Sequence, residues 1–393
     1  MTEMQKVLLL DAVRTPFGRY RGGLSDIRTD DLAAIPIAEL VGRQEGIDPA
    51  AIDDVYYGNT NGAGEENRNV ARMAALLAGL PVTVPGVTLN RLCASGAEAL
   101  IQAGRAIATG DASLVVAGGV EGMSRAPYVL PRAEEPLQRK QEIHQTTVGW
   151  RMVNPKFPDH WTDSLGGCAE KVADELGIGR KEQDEWAARS HQLASAAWDR
   201  GAHAGFVTTV GTVTRDEAIR PDSTPETLSE LRPAFTKDGT VTAGNSSPIS
   251  DGALACLLGD VQTAQDLGLE PMGEILGSAT VATEPDRFSV APVPAIEKVL
   301  SRAGLGLGDV DLWEINEAFA AMVLSTLHHL PELDRERVNV NGGAIAIGHP
   351  LGASAPRVVV DLCRELRRRG GGIGVAAACI GVGQGQAVLV RVD

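Results

Sequence analysis

The 393-residue sequence predicts an α/β protein of two similar halves with one inserted segment, and three observations lead there. The chain exceeds the roughly 250–300 residues at which a single hydrophobic core stops growing, so two cores are expected. Short stretches apolar on both faces, Lys6–Val13 and Ser113–Gly119, read as strands covered by helices on either side, with Ala-rich helical stretches between them. The third observation is an internal echo. A Gly/Ala-rich helix, a GD turn and the strand SLVVAGG follow Cys93, and a helix ending RELRRRGGG and the strand IGVAAACIG follow His349. Parallel strands joined by crossover helices are the expected wiring of each half.

The first core is expected over residues 1–121. At Gly122 the composition changes: prolines, charges and four of the five tryptophans (Trp150, Trp161, Trp186, Trp198) run to Gly244, with one amphipathic helix over Arg180–Arg200. The stretch Arg220–Pro233 reads as an ordered loop with a short helix. Residues 122–244 therefore read as an inserted domain. Ala253–Gly259 returns to strand character, so 245–270 should complete the first core and 271–393 form the second. In such an arrangement a site is expected where strand ends of the two halves meet.

Bulk properties narrow the function. A net charge of −15 argues against nucleic acid or an anionic membrane surface, which are bound through clustered Lys and Arg. No apolar run approaches the ~20 residues of a membrane span, and MTEMQKVLLLDAV lacks a signal-peptide layout, so a cytoplasmic protein is expected. The five cysteines (Cys93, Cys168, Cys256, Cys363, Cys379) are scattered without a CxxC pair, which disfavours disulfides and zinc; each is by default a small buried hydrophobe. No HExxH, GxSxG, P-loop or acidic metal cluster occurs, leaving metal, serine-hydrolase and NTPase chemistry unsupported.

Cys93 stands apart. In VTLNRLCASGAEALIQAGRAIATG a β-like stretch gives way abruptly to an Ala-rich helix ending near Gly110, which puts the thiol at a helix N-terminus, where a lowered thiol pKa is expected. Cys379 ends an apolar strand and enters a loop with glycines at 381, 383 and 385, whose N–H groups could serve an oxyanion; a core cysteine beside a tight hairpin is the plainer reading. Asn316 follows the strand-like DLWEI and reads as an N-cap of the helix that follows, with His328 and His329 at that helix's far end. His144, His160, His191 and His203 read as surface residues. His349, in NGGAIAIGHPLGASA, is a lone imidazole among glycine, alanine and isoleucine, a setting that would let two backbones and a thin substrate approach it. A cysteine and a histidine joined across two halves form the general arrangement of an activated thiol.

Seven segments, DAVRTPFG, NRLCASG, GGVEGMSRAPY, TAGNSSPISDGA, NEAFA, NGGAIAIGHPLGAS and CIGVGQG, make the chain resemble the thiolases from end to end, in family order. GEENRNVARMAALLAGLP and VPGVTLNRLCASG look most like the β-ketoadipyl-CoA branch, with acetoacetyl-CoA thiolases as the alternative. The resemblance implies a five-layered αβαβα core of two like domains plus a CoA-binding loop domain, and a homodimer or homotetramer. It implies CoA and acyl-CoA as substrates, no permanently bound cofactor, and a place in fatty-acid or aromatic degradation. It also implies roles: Cys93 the acylated nucleophile, His349 the group taking its proton, Cys379 the acid/base at the α-carbon. Asn316 would hold a water that shares one oxyanion hole with His349, and the N–H groups of Cys93 and Gly381 would form the other. Arg220, Phe235, Ala243 and Ser247 fall on CoA-contacting positions.

The sequence departs from the family pattern at Gly122, Cys168 and Ala355-Pro356, the last placed to shift the helix after His349. A ketoacyl synthase would pair its cysteine with two histidines, so the second cysteine at CIGVGQG favours thiolase. A non-catalytic carrier of this shape should lack one of the four chemical groups, and all four are present.

Overall fold

In the computed structural model, which describes residues 4–44 and 46–393, the first half runs β1 (Leu8–Arg14), β2 (Gly18–Arg19), α1 (Thr29–Gly42), β3 (Asp54–Gly58), α2 (Val70–Leu77), β4 (Val87–Leu89), α3 (Ser95–Thr109) and β5 (Leu114–Gly122). Gly110 stops α3 in the left-handed conformation, its N–H reaching the carbonyls of Ala106 and Ile107. The following segment holds β6 (Tyr128–Val129), β7 (His144–Gln145), α4 (Leu165–Leu176), α5 (Arg180–Asp199) and α6 (Pro225–Ser229). Then come β8 (Ser250–Gly259) and α7 (Val261–Leu267). The second half runs β9 (Gly273–Ala282), α8 (Pro292–Ala303), β10 (Leu312–Ile315), α9 (Ala320–His329), α10 (Ala344–Ile347), α11 (Leu351–Arg368), β11 (Gly372–Ile380) and β12 (Gln384–Val392).

Ten of the strands form one sheet, in the order β10-β11-β12-β9-β1-β8-β5-β3-β4 with β2 added beside β8, and β6 pairs with β7 in a separate two-stranded sheet. The halves join where β1 meets β9 through Leu8↔Glu274 and Leu9↔Gly273. The expected parallel pairing holds for β3 with β4 and β5 and for β10 with β11. Elsewhere the sheet is antiparallel, which corrects the all-parallel expectation. The reason is connectivity: β8 re-enters after the long excursion and wedges between β1 and β5 against both, while β11 turns straight into β12 by a hairpin rather than a crossover.

Alternation along the strands builds the layers. In β5 and β8, Val115, Ala117, Leu254, Cys256 and Leu258 face a central layer holding α3 and α11, whereas Leu114, Val116, Ala253, Ala255 and Leu257 face α1 and α2. In the second half Ala376, Val388 and Val390 face the same central layer, and Val375, Ala377 and Leu389 face α8. The order is thus helices, sheet, α3/α11, sheet, helices: five layers. Helices α4 and α5 bury Cys168, Ala169 and Trp186 in the cluster that includes Trp313 and α9.

Two of the histidines read as surface residues are interior. His160 is exposed, but His191 and His203 are buried. Nδ1 of His191 accepts the Arg220 N–H (3.1 Å) and so ties down the segment after α5. His203 packs at a tilt against Trp198, ring centroids 4.8 Å apart, with neither ring nitrogen partnered among the described residues. Burial lowers both from 6.5 to about 4, assisted by Arg220 and Arg14 respectively. The unfolded chain takes up these protons near pH 6.5 and the folded chain only near 4, so stability is full above 6.5 and is lost between those values as pH falls. His203→Phe keeps the ring contact with Trp198 and removes the titration. It should flatten the fall in melting temperature between pH 6.5 and 4, an effect on the order of 3 kcal/mol; an unchanged slope would show that His203 does not contribute to it.

Candidate active site

Between β4 and α3 the backbone makes a tight turn, and three side chains determine it. Leu92 has φ +48°, a conformation that costs a branched side chain on the order of 1 kcal/mol. Asn90 Oδ1 accepts the Leu92 N–H (2.9 Å) and Ser95 Oγ accepts the Arg91 N–H (2.9 Å). The hydroxyls of Ser95 and Thr60 both donate to the Leu92 carbonyl (2.7 and 3.2 Å). Cys93 is held in a short 3₁₀ turn that runs directly into α3, as the sequence predicts.

His349 lies between α10 and α11, after Gly348 at φ +115°, which favours glycine. Its N–H donates to Ser250 Oγ (3.2 Å), and its Nε2 lies 3.5 Å from Nδ2 of Asn316. The two central helices approach closely at their starts: a Cβ on Gly96 would stand 2.2 Å from the Gly352 carbonyl. Pro356 sits inside α11, where its missing N–H forgoes one helical bond, yet the helix continues unbroken to Arg368. At Gly122 the space a side chain would need is filled by Thr29, 2.3 Å from an ideal Cβ.

Asn316 is not an N-cap: α9 begins only at Ala320, capped by Phe319. The intervening turn is organised by Glu317, a fully buried carboxylate that accepts from Trp186 Nε1 (3.0 Å), Ser190 Oγ (2.6 Å), Asn339 Nδ2 (2.9 Å) and the Ile345 N–H (3.2 Å). This leaves the Asn316 side chain free of the helix and turned to His349, its N–H bonded to Ala377 of β11 (2.9 Å) and its buried Oδ1 without a partner.

Cys379, the last residue but one of β11, stands opposite Gly385, beside a hairpin in which Val382 and Gly383 both have positive φ. The Gly381 N–H is directed at the Cys93 sulfur. The 3₁₀ turn of Cys93 packs on both β11 and α11, so Cys93, His349, Cys379, Asn316 and Gly381 come together where the halves meet, all four side chains buried. Trp150 and Leu165 cover the site from the inserted segment, 3.3 and 3.4 Å from where a Cβ on Gly381 would be.

The electrostatics correct one expectation. The Cys93 thiol is raised to about 11, because burial outweighs the Gly381 and Cys93 N–H groups and the Glu121 charge adds to it. Burial lowers His349 to about 3, with Arg357 contributing. Cys379 lies well above the usual thiol range through burial, the neighbouring Cys93 adding to the effect. At neutral pH the resting site therefore holds two thiols and a neutral imidazole. Glu121, missed in the sequence, accepts from the N–H groups of Thr60 (3.0 Å), Asn61 (3.1 Å) and Gly352 (3.1 Å), tying the loop beside Cys93 to the start of α11. Burial raises it to about 7. A lone acid inside the apolar strand before GMS was the available signal.

The four positions assigned to CoA lie apart from this cluster. Arg220, Phe235 and Ala243 are exposed and Ser247 is half-buried. Phe235 packs edge-on against Phe319 (5.8 Å), and the Ser247 N–H bonds to the Ala318 carbonyl (3.0 Å), so two of the four border the turn that carries Asn316.

Family models for the thiolase N-terminal domain and C-terminal domain match residues 7–262 and 269–392. The chain belongs to the thiolase family. This thiolase is 47% identical to a β-ketoadipyl-CoA thiolase of Pseudomonas knackmussii, covering 98% of this chain and 99% of the relative. It is 48% identical to a 3-oxoadipyl-CoA/3-oxo-5,6-dehydrosuberyl-CoA thiolase of Escherichia coli, over 99% and 100% of the two chains. A Bacillus anthracis acetyl-CoA acetyltransferase superposes with a TM-score of 0.92 at 37% identity. Human mitochondrial 3-ketoacyl-CoA thiolase in complex with CoA also superposes at 0.92, with 36% identity; each covers the whole of both chains. The protein is an acyltransferase that cleaves 3-ketoacyl-CoA with CoA, reversibly, to acetyl-CoA and a shortened acyl-CoA. Among the described residues no helix is long and apolar enough to cross a membrane.

Proposed function

We propose that this thiolase cleaves β-ketoadipyl-CoA, that Cys93 carries the acyl group, and that His349 and Cys379 move the protons. The observation that carries the chemical assignment is the convergence of two buried thiols and a neutral imidazole on one cleft bordered by the Gly381 N–H. Cys93 gives its proton to His349 as sulfur attacks the keto carbon. The oxyanion that forms on the carbon joined to the Cys93 sulfur is met by the N–H groups of Cys93 and Gly381. The bond between the α-carbon and the keto carbon then breaks, its electron pair forming the acetyl-CoA enolate, and Cys379 protonates that carbon. Burial keeps Cys379 protonated and so able to donate. The Cys379 thiolate takes the proton of incoming CoA, the CoA thiolate removes the acyl group, and His349 returns its proton to Cys93. A water held by the unpartnered Asn316 Oδ1, together with His349, serves the thioester oxygen, which carries the enolate charge.

Relatives of this length and identity support the substrate. The test is CoA-dependent cleavage of a panel of 3-ketoacyl-CoAs. β-Ketoadipyl-CoA should lead acetoacetyl-CoA in kcat/KM; a value ten or more times higher for acetoacetyl-CoA, about 1.4 kcal/mol, would select the acetoacetyl-CoA reading instead. Residues 122–244 are proposed to hold CoA through Arg220 at the nucleotide end, with Phe235, Ala243 and Ser247 along its length. With CoA varied, Arg220→Ala should raise KM about 3–10-fold and leave kcat within about twofold, the loss expected for one exposed charge contact. An unchanged KM removes Arg220 from that face.

A further inference from the structure

Arg151 lies at the edge of the site without a charge partner among the described residues. It follows Trp150, whose ring covers Gly381, and its Nη2 is 3.4 Å from Asn61 Oδ1. Asn61 in turn follows Thr60, whose hydroxyl holds the Leu92 carbonyl beside Cys93. The guanidinium is therefore suspended between the two loops that flank the thiol. It has five N–H donors, and this long bond to Asn61 is its only hydrogen bond to the chain among the described residues. Neighbouring arginines are committed elsewhere: Arg91 pairs with Glu98 and Arg125 with Glu65. This half-buried cation, in a chain of net charge −15, has no carboxylate partner among the described residues and keeps N–H donors free for an anion.

The proposed substrate supplies what is missing. Attack at the keto carbon of β-ketoadipyl-CoA leaves a succinyl group on Cys93, with its carboxylate two methylenes beyond the carbonyl carbon, about 4 Å away. An anion must therefore be accommodated close to the thiol, in a site otherwise bordered by Trp150, Leu165 and alanines. We propose that Arg151 binds this ω-carboxylate and sets the preference for a dicarboxylic 3-ketoacyl-CoA, an inference that rests on the substrate reading above. The planar guanidinium matches a carboxylate in two parallel hydrogen bonds, which lysine cannot reproduce in full.

The parent, Arg151→Gln and Arg151→Lys are assayed with β-ketoadipyl-CoA and with 3-ketohexanoyl-CoA, in which a methyl replaces the carboxylate. Arg151→Gln should lower kcat/KM for the dicarboxylate about 10–100-fold, chiefly through KM, and leave the uncharged substrate within about threefold. Arg151→Lys should recover part of the loss. A parent that does not prefer the dicarboxylate sinks the substrate reading and this proposal with it. A parental preference that survives Arg151→Gln overturns the role of Arg151 alone. Equal losses on both substrates, not restored by lysine, mean that Arg151 only packs the loop and equally overturn it.

Discussion

Cys93→Ala should abolish turnover, with kcat reduced by at least about 10⁴-fold and no acyl adduct recovered on the protein. The nucleophile is the one group whose loss removes the covalent route altogether, and in enzymes that act through such an intermediate this is among the largest single-residue effects. Folding should survive, because the side chain is small and the turn around it is held by Asn90, Ser95 and Thr60 rather than by the sulfur. The measurement is incubation with acyl-CoA followed by peptide mass spectrometry, beside steady-state cleavage. In the parent the adduct should map to the peptide containing NRLCASG and to none of the peptides with Cys168, Cys256, Cys363 or Cys379. An adduct retained in Cys93→Ala would place the nucleophile elsewhere. Because the resting thiol is raised to about 11 and His349 lowered to about 3, the Cys93/His349 proton transfer is uphill in the free protein. Bound thioester must make it favourable. The variant His349→Ala should therefore also lose acylation, although its Cys93 is intact.

Residues that sit at chain reversals were legible from sequence, because a reversal leaves a local pattern. A strand stopping at Leu89, a polar pair and then an Ala-rich helix announced the turn that holds Cys93, and Gly348 with Pro350 announced the one that isolates His349. Helices on both sides of each sheet were legible for a similar reason, since strands apolar on both faces need them; the central helical layer shared by the two halves came only from the family resemblance. What depended on partners distant in sequence was not legible. The antiparallel entry of β8 is decided by where a chain returning after more than a hundred residues finds free strand edges. The irregular turn at Asn316 depends on donors from Trp186, Ser190, Asn339 and Ile345 gathering on Glu317, and local propensity at NEAFA favoured a helix. The direction of the Cys93 shift followed the same logic. A helix N-terminus is visible in sequence, but the burial that outweighs it comes from β11, α11 and the inserted segment.

Cys379→Ala should separate the two halves of the reaction. If Cys379 exchanges protons with the α-carbon, its loss should depress cleavage by about 10²–10⁴-fold, the range for a positioned acid/base. Acylation of Cys93 should fall much less, since Cys93, His349, Asn316 and the Gly381 N–H remain in place. The removed thiol is fully enclosed at the end of β11, in register with Gly385, and alanine there leaves only a small void. Because burial keeps Cys379 a neutral thiol, removing it takes no charge from beside Cys93. The decisive measurement is deuterium incorporation into the methyl of acetyl-CoA in heavy water, run beside single-turnover acylation. The parent should exchange the methyl protons and the variant should not, while both form acyl-enzyme. Parental exchange rates in the variant would reduce Cys379 to a core cysteine beside a hairpin and pass the proton to His349, the one other group in the cleft with a free ring nitrogen, although burial makes its imidazolium costly to form.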